Sequence, residues 1–210
     1  LTYSNLDEYL EAGLPVVSID RHFSRQGICC VSGDNAEGGR LAAQQFIKTG
    51  CRNVIYIRNG SNLENETLKR GQAFLEACRK AGLSAEAMDF GEETTLQKEG
   101  VRRIHAFLEE IVRDGRCEYD GIFASSDVHA AVILKKLREL GVSVPRQVQL
   151  IGYDGLRVLN VGDYVVSSIE QPVQEMAVAC ADVLLKLIEK KPVESSIILP
   201  VRFVDGGTTK

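Results

Sequence analysis

Short apolar runs alternate along this chain with longer stretches in which apolar positions recur every three to four residues. The runs predict strands at 15–19 (PVVSI), 28–32, 54–57, 85–90, 121–124 (GIFA), 148–151, 165–169 and, as one strand or two, 197–204. The periodic stretches predict helices at 5–12, 37–49 and from about Glu64 to Ala81, with Asn59 and Gly60 as a turn before the last of these. Val101, Ile104, Leu108, Ile111 and Val112 line a fourth helix; Ala130, Ile133, Leu134, Leu137 and Leu140 line a fifth. Met176, Cys180, Val183, Leu184 and Leu187 line a sixth. Alternating strand and helix units of this length predict an α/β protein whose parallel sheets are flanked by helices. No internal repeat and no Pro/Gly-rich linker interrupts the pattern, so any division into lobes requires the chain to cross between them.

The stretch 141–155, GVSVPRQVQLIGYDG, is the most informative. Its apolar run from Val148 is bounded by Pro145 and Gly152, which predicts a buried strand closed by a tight turn, with Asp154 just past its end. Ligands of open α/β sheets bind beyond the carboxyl ends of the strands. Capping of a following turn is the alternative role for Asp154.

Composition narrows the partners. The chain is 44% hydrophobic and 26% charged over 210 residues, as soluble globular proteins are, and no apolar run approaches the roughly 18 residues of a membrane span. A net charge of −4 argues against this segment holding a nucleic acid backbone by itself. Cys29, Cys30, Cys51, Cys78, Cys117 and Cys180 form no CxxC pair and sit mostly in apolar patterns, which favours buried free thiols and a reducing cytoplasm. His22, His105 and His129 share no helix face, so no metal, no cofactor and no catalytic residue is assigned. There is no GxGxxG, no Walker lysine, no GxSxG and no HExxH, and an enzyme is not expected.

The strand ends do carry planar polar groups: Asp20 with Arg21, Arg70, Ser126 with Asp127, Asp154, and Gln171. Carboxylates accept paired hydrogen bonds from neighbouring hydroxyls, and a guanidinium donates in a fixed fork. Such a set suits a sugar or a nucleoside. Taken singly, Asp127 also fits a helix N-cap and Arg21 a solvated charge.

Six stretches together resemble one family: PVVSIDR, VSGDNAEGG, RGQAF, SSDVHAA, GVSVPRQVQLIGYDG and SSIEQPVQEMA. They are similar to the effector-binding core of the lactose/galactose-repressor (LacI/GalR) family of bacterial transcription regulators, which has the type I periplasmic binding protein fold. The resemblance implies two lobes, each a parallel sheet flanked by helices, with residues 1–33 and 170–195 in the amino-terminal lobe and 34–169 and 196–210 in the carboxyl-terminal lobe. It implies ligand contacts at Asp20, Arg21, Arg70, Ser126, Asp127, Asp154 and Gln171. Ser126 stands where sugar binders often have Asn, and Gly206 where the family usually has Arg.

The resemblance further implies an incomplete amino-terminal lobe, lacking the opening strand, helix and strand, and a DNA-binding headpiece absent from this chain. The partners it implies are a small-molecule effector (sugar, sugar phosphate or nucleoside), operator DNA through that headpiece, and a second copy in a homodimer, with no membrane. A sugar receptor of a transport system is the alternative. An arginine at a ligand cleft is expected to serve recognition more than packing, so Arg70→Ala is expected to leave the fold intact.

Overall fold

The computed structural model describes residues 6–23, 28–58, 66–90, 98–156 and 165–210. In chain order the first elements are α1 (Leu6–Glu11), β1 (Val16–Ile19), β2 (Ile28–Gly33), α2 (Asn35–Lys48), β3 (Asn53–Arg58) and α3 (Glu66–Lys80). Next come β4 (Ser84–Asp89), α4 (Lys98–Ile111), β5 (Val112–Arg113), β6 (Arg116–Cys117), β7 (Gly121–Ala124) and α5 (Asp127–Glu139). The chain closes with β8 (Gln149–Asp154), β9 (Ser167–Glu170), α6 (Val173–Ile188), β10 (Ser196–Leu199) and β11 (Arg202–Val204). The turn expected at Asn59 and Gly60 and the helix start expected near Glu64 lie outside the described residues.

Two compact units result, Leu1–Asp34 with Pro172–Pro200 and Asn35–Gln171 with Val201–Lys210. In the first unit, β1, β2 and β10 form a parallel sheet with β2 in the middle. The run Ile-Cys-Cys-Val of β2 is buried on both faces, as a central parallel strand requires. Cys29 and Val31 on one of those faces pack with Met176, Cys180 and Val183 of α6.

The sequence reading assigned 196–210 to the other lobe. Ile197 and Leu199 instead pair along β2, opposite Val31 and Gly33, so β10 belongs to the first unit and only β11 to the second. The apolar run 197–204 contains two strands because Pro200 ends the first and cannot donate to a ladder.

The second unit has a six-stranded sheet in the order β11-β9-β8-β7-β3-β4, parallel except for β11, which runs antiparallel along β9. Alternation along β3 sends Val54 and Tyr56 to one face and Ile55 and Ile57 to the other. The first face is covered by α2 and α3 through Ala42, Phe46, Phe74 and Cys78, which meet Tyr56, Phe123 and Tyr153. Phe74 lies 5.1 Å from Phe123 and 6.0 Å from Phe46, ring centre to ring centre, in the tilted and edge-on arrangements aromatic quadrupoles favour. The second face is covered by α4 and α5 through Ile104, Leu108, Ile133, Leu134 and Leu137.

Gly152 does not close β8, which continues to Asp154. A Cβ at Gly152 would lie 2.1 Å from Asp127 Oδ1, so this glycine clears room for a carboxylate rather than making a turn. At Gly206 a Cβ would lie 2.3 Å from the Val165 carbonyl oxygen, so the backbone itself occupies the place where the resemblance expects an arginine side chain. A two-residue hairpin, β5 with β6, was not predicted; its strands are too short to leave a period-two signal. No helix among the described residues is long and apolar enough to cross a membrane.

Candidate functional site

Arg70 enters the carboxyl edge of the second sheet from the first turns of α3. Its guanidinium lies 3.1 Å from the centre of the Tyr153 ring, and its Nε and Nη2 donate to Asn35 Oδ1 at 3.1 and 2.6 Å. Nη1 donates to the Ser125 carbonyl, just beyond the end of β7. Two neighbouring glycines of α2 make this possible. A Cβ at Gly39 would lie 2.1 Å from the Arg70 carbonyl oxygen, and one at Gly38 would lie 2.7 Å from the Tyr153 ring. The GDNAEGG stretch thus supplies both the Asn35 acceptor and the room for the stack.

Arg70 is 4% exposed, and every one of these contacts holds it inside the second unit. The expectation that Arg70→Ala leaves the fold intact is therefore corrected. Removing this side chain takes two donors from Asn35 Oδ1 and uncovers the Tyr153 ring, which costs stability.

Ser126 begins α5. Its extended backbone and its Oγ, accepting from the His129 amide at 3.2 Å, make it the N-cap. Asp127, which also fitted that cap, is instead the first helical residue, and it is 1% exposed. Its Oδ1 accepts from Ser168 Oγ at 2.7 Å and its Oδ2 from the Leu156 amide at 2.6 Å. The carboxylate thus ties α5 to β9 and to the chain leaving β8. His129 Nδ1 lies 3.0 Å from Ser125 Oγ and 2.9 Å from Ser126 Oγ, and burial lowers its pKa to about 4, so the ring is neutral near neutral pH.

Burial pushes Asp127 up from 3.8 to about 6, against the lowering effect of the Ser168 and Leu156 hydrogen bonds. The folded state therefore holds the Asp127 proton more tightly than the unfolded state does. The resulting stabilisation is full below the unfolded value of 3.8 and is lost as pH rises through about 6. Two units correspond to about 3 kcal/mol. Asp127→Asn does not titrate, so the stability of the parent relative to this variant is expected to fall by about 2–3 kcal/mol between about pH 4 and about pH 7. Urea unfolding of both proteins across that range checks it; parallel curves contradict it.

Asp154 and Gln171 lie at the same carboxyl edge of the second unit's sheet. Gln171 Nε2 donates to Asp154 Oδ1 at 3.0 Å, across the pair formed by the ends of β8 and β9. Asp154 has φ 106°, a region that non-glycine residues seldom occupy and that costs energy to hold. Asp20, directly after β1 in the first unit, has φ 54°, and its amide donates to the Val31 carbonyl at 3.0 Å. Arg21 is exposed, and its carbonyl accepts from Ser18 Oγ. Of the seven expected site residues, the second unit thus holds Arg70, Ser126, Asp127, Asp154 and Gln171, and the first holds Asp20 and Arg21.

Asn35, Ser125 and Tyr153 were not singled out from the sequence, and His129 was considered only as a metal ligand or catalytic group. Tyr153 follows Gly152 inside the most informative stretch and Asn35 lies inside GDNAEGG, so the signal was adjacency to motif residues rather than any chemistry of their own. No group of three or more His, Cys, Asp or Glu side chains suited to a metal ion occurs among the described residues.

The periplasmic binding protein-like domain family matches residues 43–209. The sucrose operon repressor of Streptococcus mutans is 31% identical over 201 residues, which are 96% of this chain and 59% of that protein. The ribose operon repressor of Bacillus subtilis is 28% identical over 209 residues, 99% of this chain and 61% of that protein. This chain thus spans about three-fifths of the length of these curated relatives. A periplasmic binding protein/LacI transcriptional regulator from Alkaliphilus metalliredigens, solved in complex with D-xylulofuranose, superposes with a TM-score of 0.79 at 28% identity over 97% of this chain and 74% of that one. A LacI transcriptional regulator from a Rhodococcus species superposes with a TM-score of 0.83 at 26% identity, over 100% of this chain and 74% of that one. The two α/β units and these likenesses agree, and the chain belongs to the periplasmic binding protein-like domain family, in its LacI-type branch.

Proposed function

We propose that this chain is the effector-sensing core of a bacterial transcriptional regulator, a repressor, that responds to a sugar or a closely related metabolite. The observation that carries the reading is the Arg70 constellation. A buried guanidinium is stacked on Tyr153 and oriented by Asn35 and Ser125, at the same sheet edge as the Asp154–Gln171 pair. A forked donor beside a carboxylate and an amide matches the hydroxyl pattern of a sugar ring. Ser126, at the start of α5, is a further ligand contact of the second unit, and Asp20 and Arg21 are ligand contacts of the first unit. Asp127 acts by holding the loop after β8 in place.

Curated relatives that repress sucrose and ribose operons support the regulatory reading over a transport receptor. The protein is cytoplasmic, works as a homodimer and is not an enzyme. Operator DNA is contacted through a helix-turn-helix headpiece rather than through these residues, in keeping with their net charge of −4.

A thermal-shift screen with pentoses, hexoses, disaccharides, their phosphates and nucleosides tests the proposal. A ligand that binds only the folded state stabilises it, by about 2.7 kcal/mol at one hundred times its Kd. At least one saccharide is expected to raise the unfolding temperature. A response to nucleosides alone, or to nothing in the panel, contradicts the reading.

A further inference from the structure

Asp154 ends β8 with φ 106° and Gly155 follows with φ 78°, so two consecutive residues hold positive φ. Gly155 does so without strain because it has no Cβ; Asp154 has one. A side-chain-bearing residue stays in such a region only where its surroundings over-determine it. Two side chains supply that constraint. Ser168 Oγ, on β9, accepts from the Gly155 amide at 3.2 Å, and Asp127 Oδ2, at the start of α5, accepts from the Leu156 amide at 2.6 Å. The two are joined, because Ser168 Oγ donates to Asp127 Oδ1 at 2.7 Å.

Ser168 is buried and sits opposite Gly152 in the β8–β9 register. Its one hydroxyl proton has two acceptors within reach, Asp127 Oδ1 at 2.7 Å and the Ile169 carbonyl at 3.4 Å, and the shorter bond takes it. The missing Cβ of Gly152 is what lets the Asp127 carboxylate come this close. The bonds from Ser168 and Asp127 go to the two amides that follow Asp154. Each peptide unit is planar, so fixing those amides fixes the chain on the carboxyl side of Asp154 and the direction in which its side chain leaves the strand. Gln171 Nε2 then meets the Asp154 carboxylate itself at 3.0 Å.

We propose that Ser168 is a positioning residue for effector recognition: with Asp127 it clamps the turn after β8 and so presents the Asp154 carboxylate to the effector already oriented. This rests on the sugar-sensing function proposed above, in which Asp154 is a ligand contact, and adds a residue that acts through it. A group held in its bound geometry before the ligand arrives loses less freedom on binding, and the difference appears as affinity. Ser168 escapes notice in the sequence because, in the run VVSSI, it reads as one more position of a strand.

Nuclear magnetic resonance on the parent protein reads the clamp directly. The three-bond coupling between the amide and α hydrogens of Asp154 is expected to report positive φ without ligand and to stay the same with it. The Gly155 and Leu156 amides are expected to exchange about 100-fold slower than in an unfolded chain, or more slowly still. Titration calorimetry with ribose, fructose, glucose and sucrose and their phosphate esters then compares the parent with Ser168→Ala, which is expected to bind about 10-fold more weakly. Asp154→Gly removes the side chain that is to be positioned and accepts φ 106° without strain. In that background Ser168→Ala is expected to change affinity by about twofold or less. A merely structural role lowers affinity equally in both backgrounds. Equal losses, or unprotected Gly155 and Leu156 amides in the parent, overturn the inference while leaving sugar sensing intact. Asp154→Gly binding as tightly as the parent removes Asp154 from the site and the inference with it, and no binding to the parent by any of these compounds overturns both readings. The spectra of the parent need no variant, so a variant that fails to fold leaves the test standing.

Discussion

Gly39→Ala is expected to destabilise the second unit by about 3 kcal/mol or more, lowering its unfolding temperature by roughly 6–12 °C. The added Cβ would fall 2.1 Å from the Arg70 carbonyl oxygen and 2.9 Å from the Phe74 amide nitrogen. Both are backbone atoms of α3, so no rotamer change relieves the clash and α2 and α3 must move apart. That separation loosens the Phe46–Phe74 contact in the core and carries Arg70 away from Asn35. Stability and ligand binding therefore fall together. Gly50→Ala is the control: φ there is +79°, but nothing lies within 4 Å of the added carbon, and the cost is the about 1–2 kcal/mol of a left-handed backbone alone. Calorimetric unfolding of the two variants separates close packing from backbone conformation; equal losses contradict the packing argument.

This dependence on a glycine shows what the sequence could and could not convey. The alternation of apolar runs and periodic stretches is set by burial, which acts on every element, so the α/β class and the order of strands and helices were legible. Contacts across the sheet are set by packing between distant residues and leave no local trace. Nothing near Arg70 in sequence points to Asn35, Ser125 or Tyr153, which hold it. Gly152 was misread for a related reason. A glycine that ends a strand and one that admits a neighbouring carboxylate look alike until Asp127 is seen against it. The placement of β10 failed because Ile197 and Leu199 form an apolar run continuous with Val201 and Phe203, and only pairing with β2 divides them.

Arg70 carries the second large effect. Arg70→Ala is expected to lower stability by about 2–4 kcal/mol, since a buried acceptor loses its donors and the Tyr153 ring loses the cation above it. Arg70→Met keeps an unbranched stem of similar reach against Tyr153 and gives up the charge and the fork, so most of the packing is expected to remain. Recognition is not expected to remain. A hydrogen bond from a charged group contributes about 1.5–3 kcal/mol, and a guanidinium makes more than one, so effector affinity should fall by about 100-fold or more.

The account stands most directly on titration calorimetry of the parent and of Arg70→Met with whichever saccharide gives the largest thermal shift. It predicts a saturable binding isotherm for the parent. It also predicts an affinity about 100-fold weaker or worse for a variant that still unfolds cooperatively. A folded Arg70→Met protein that binds the same ligand as tightly as the parent would show that the effector is recognised elsewhere, and the strand-end site built around Arg70 would have to be abandoned.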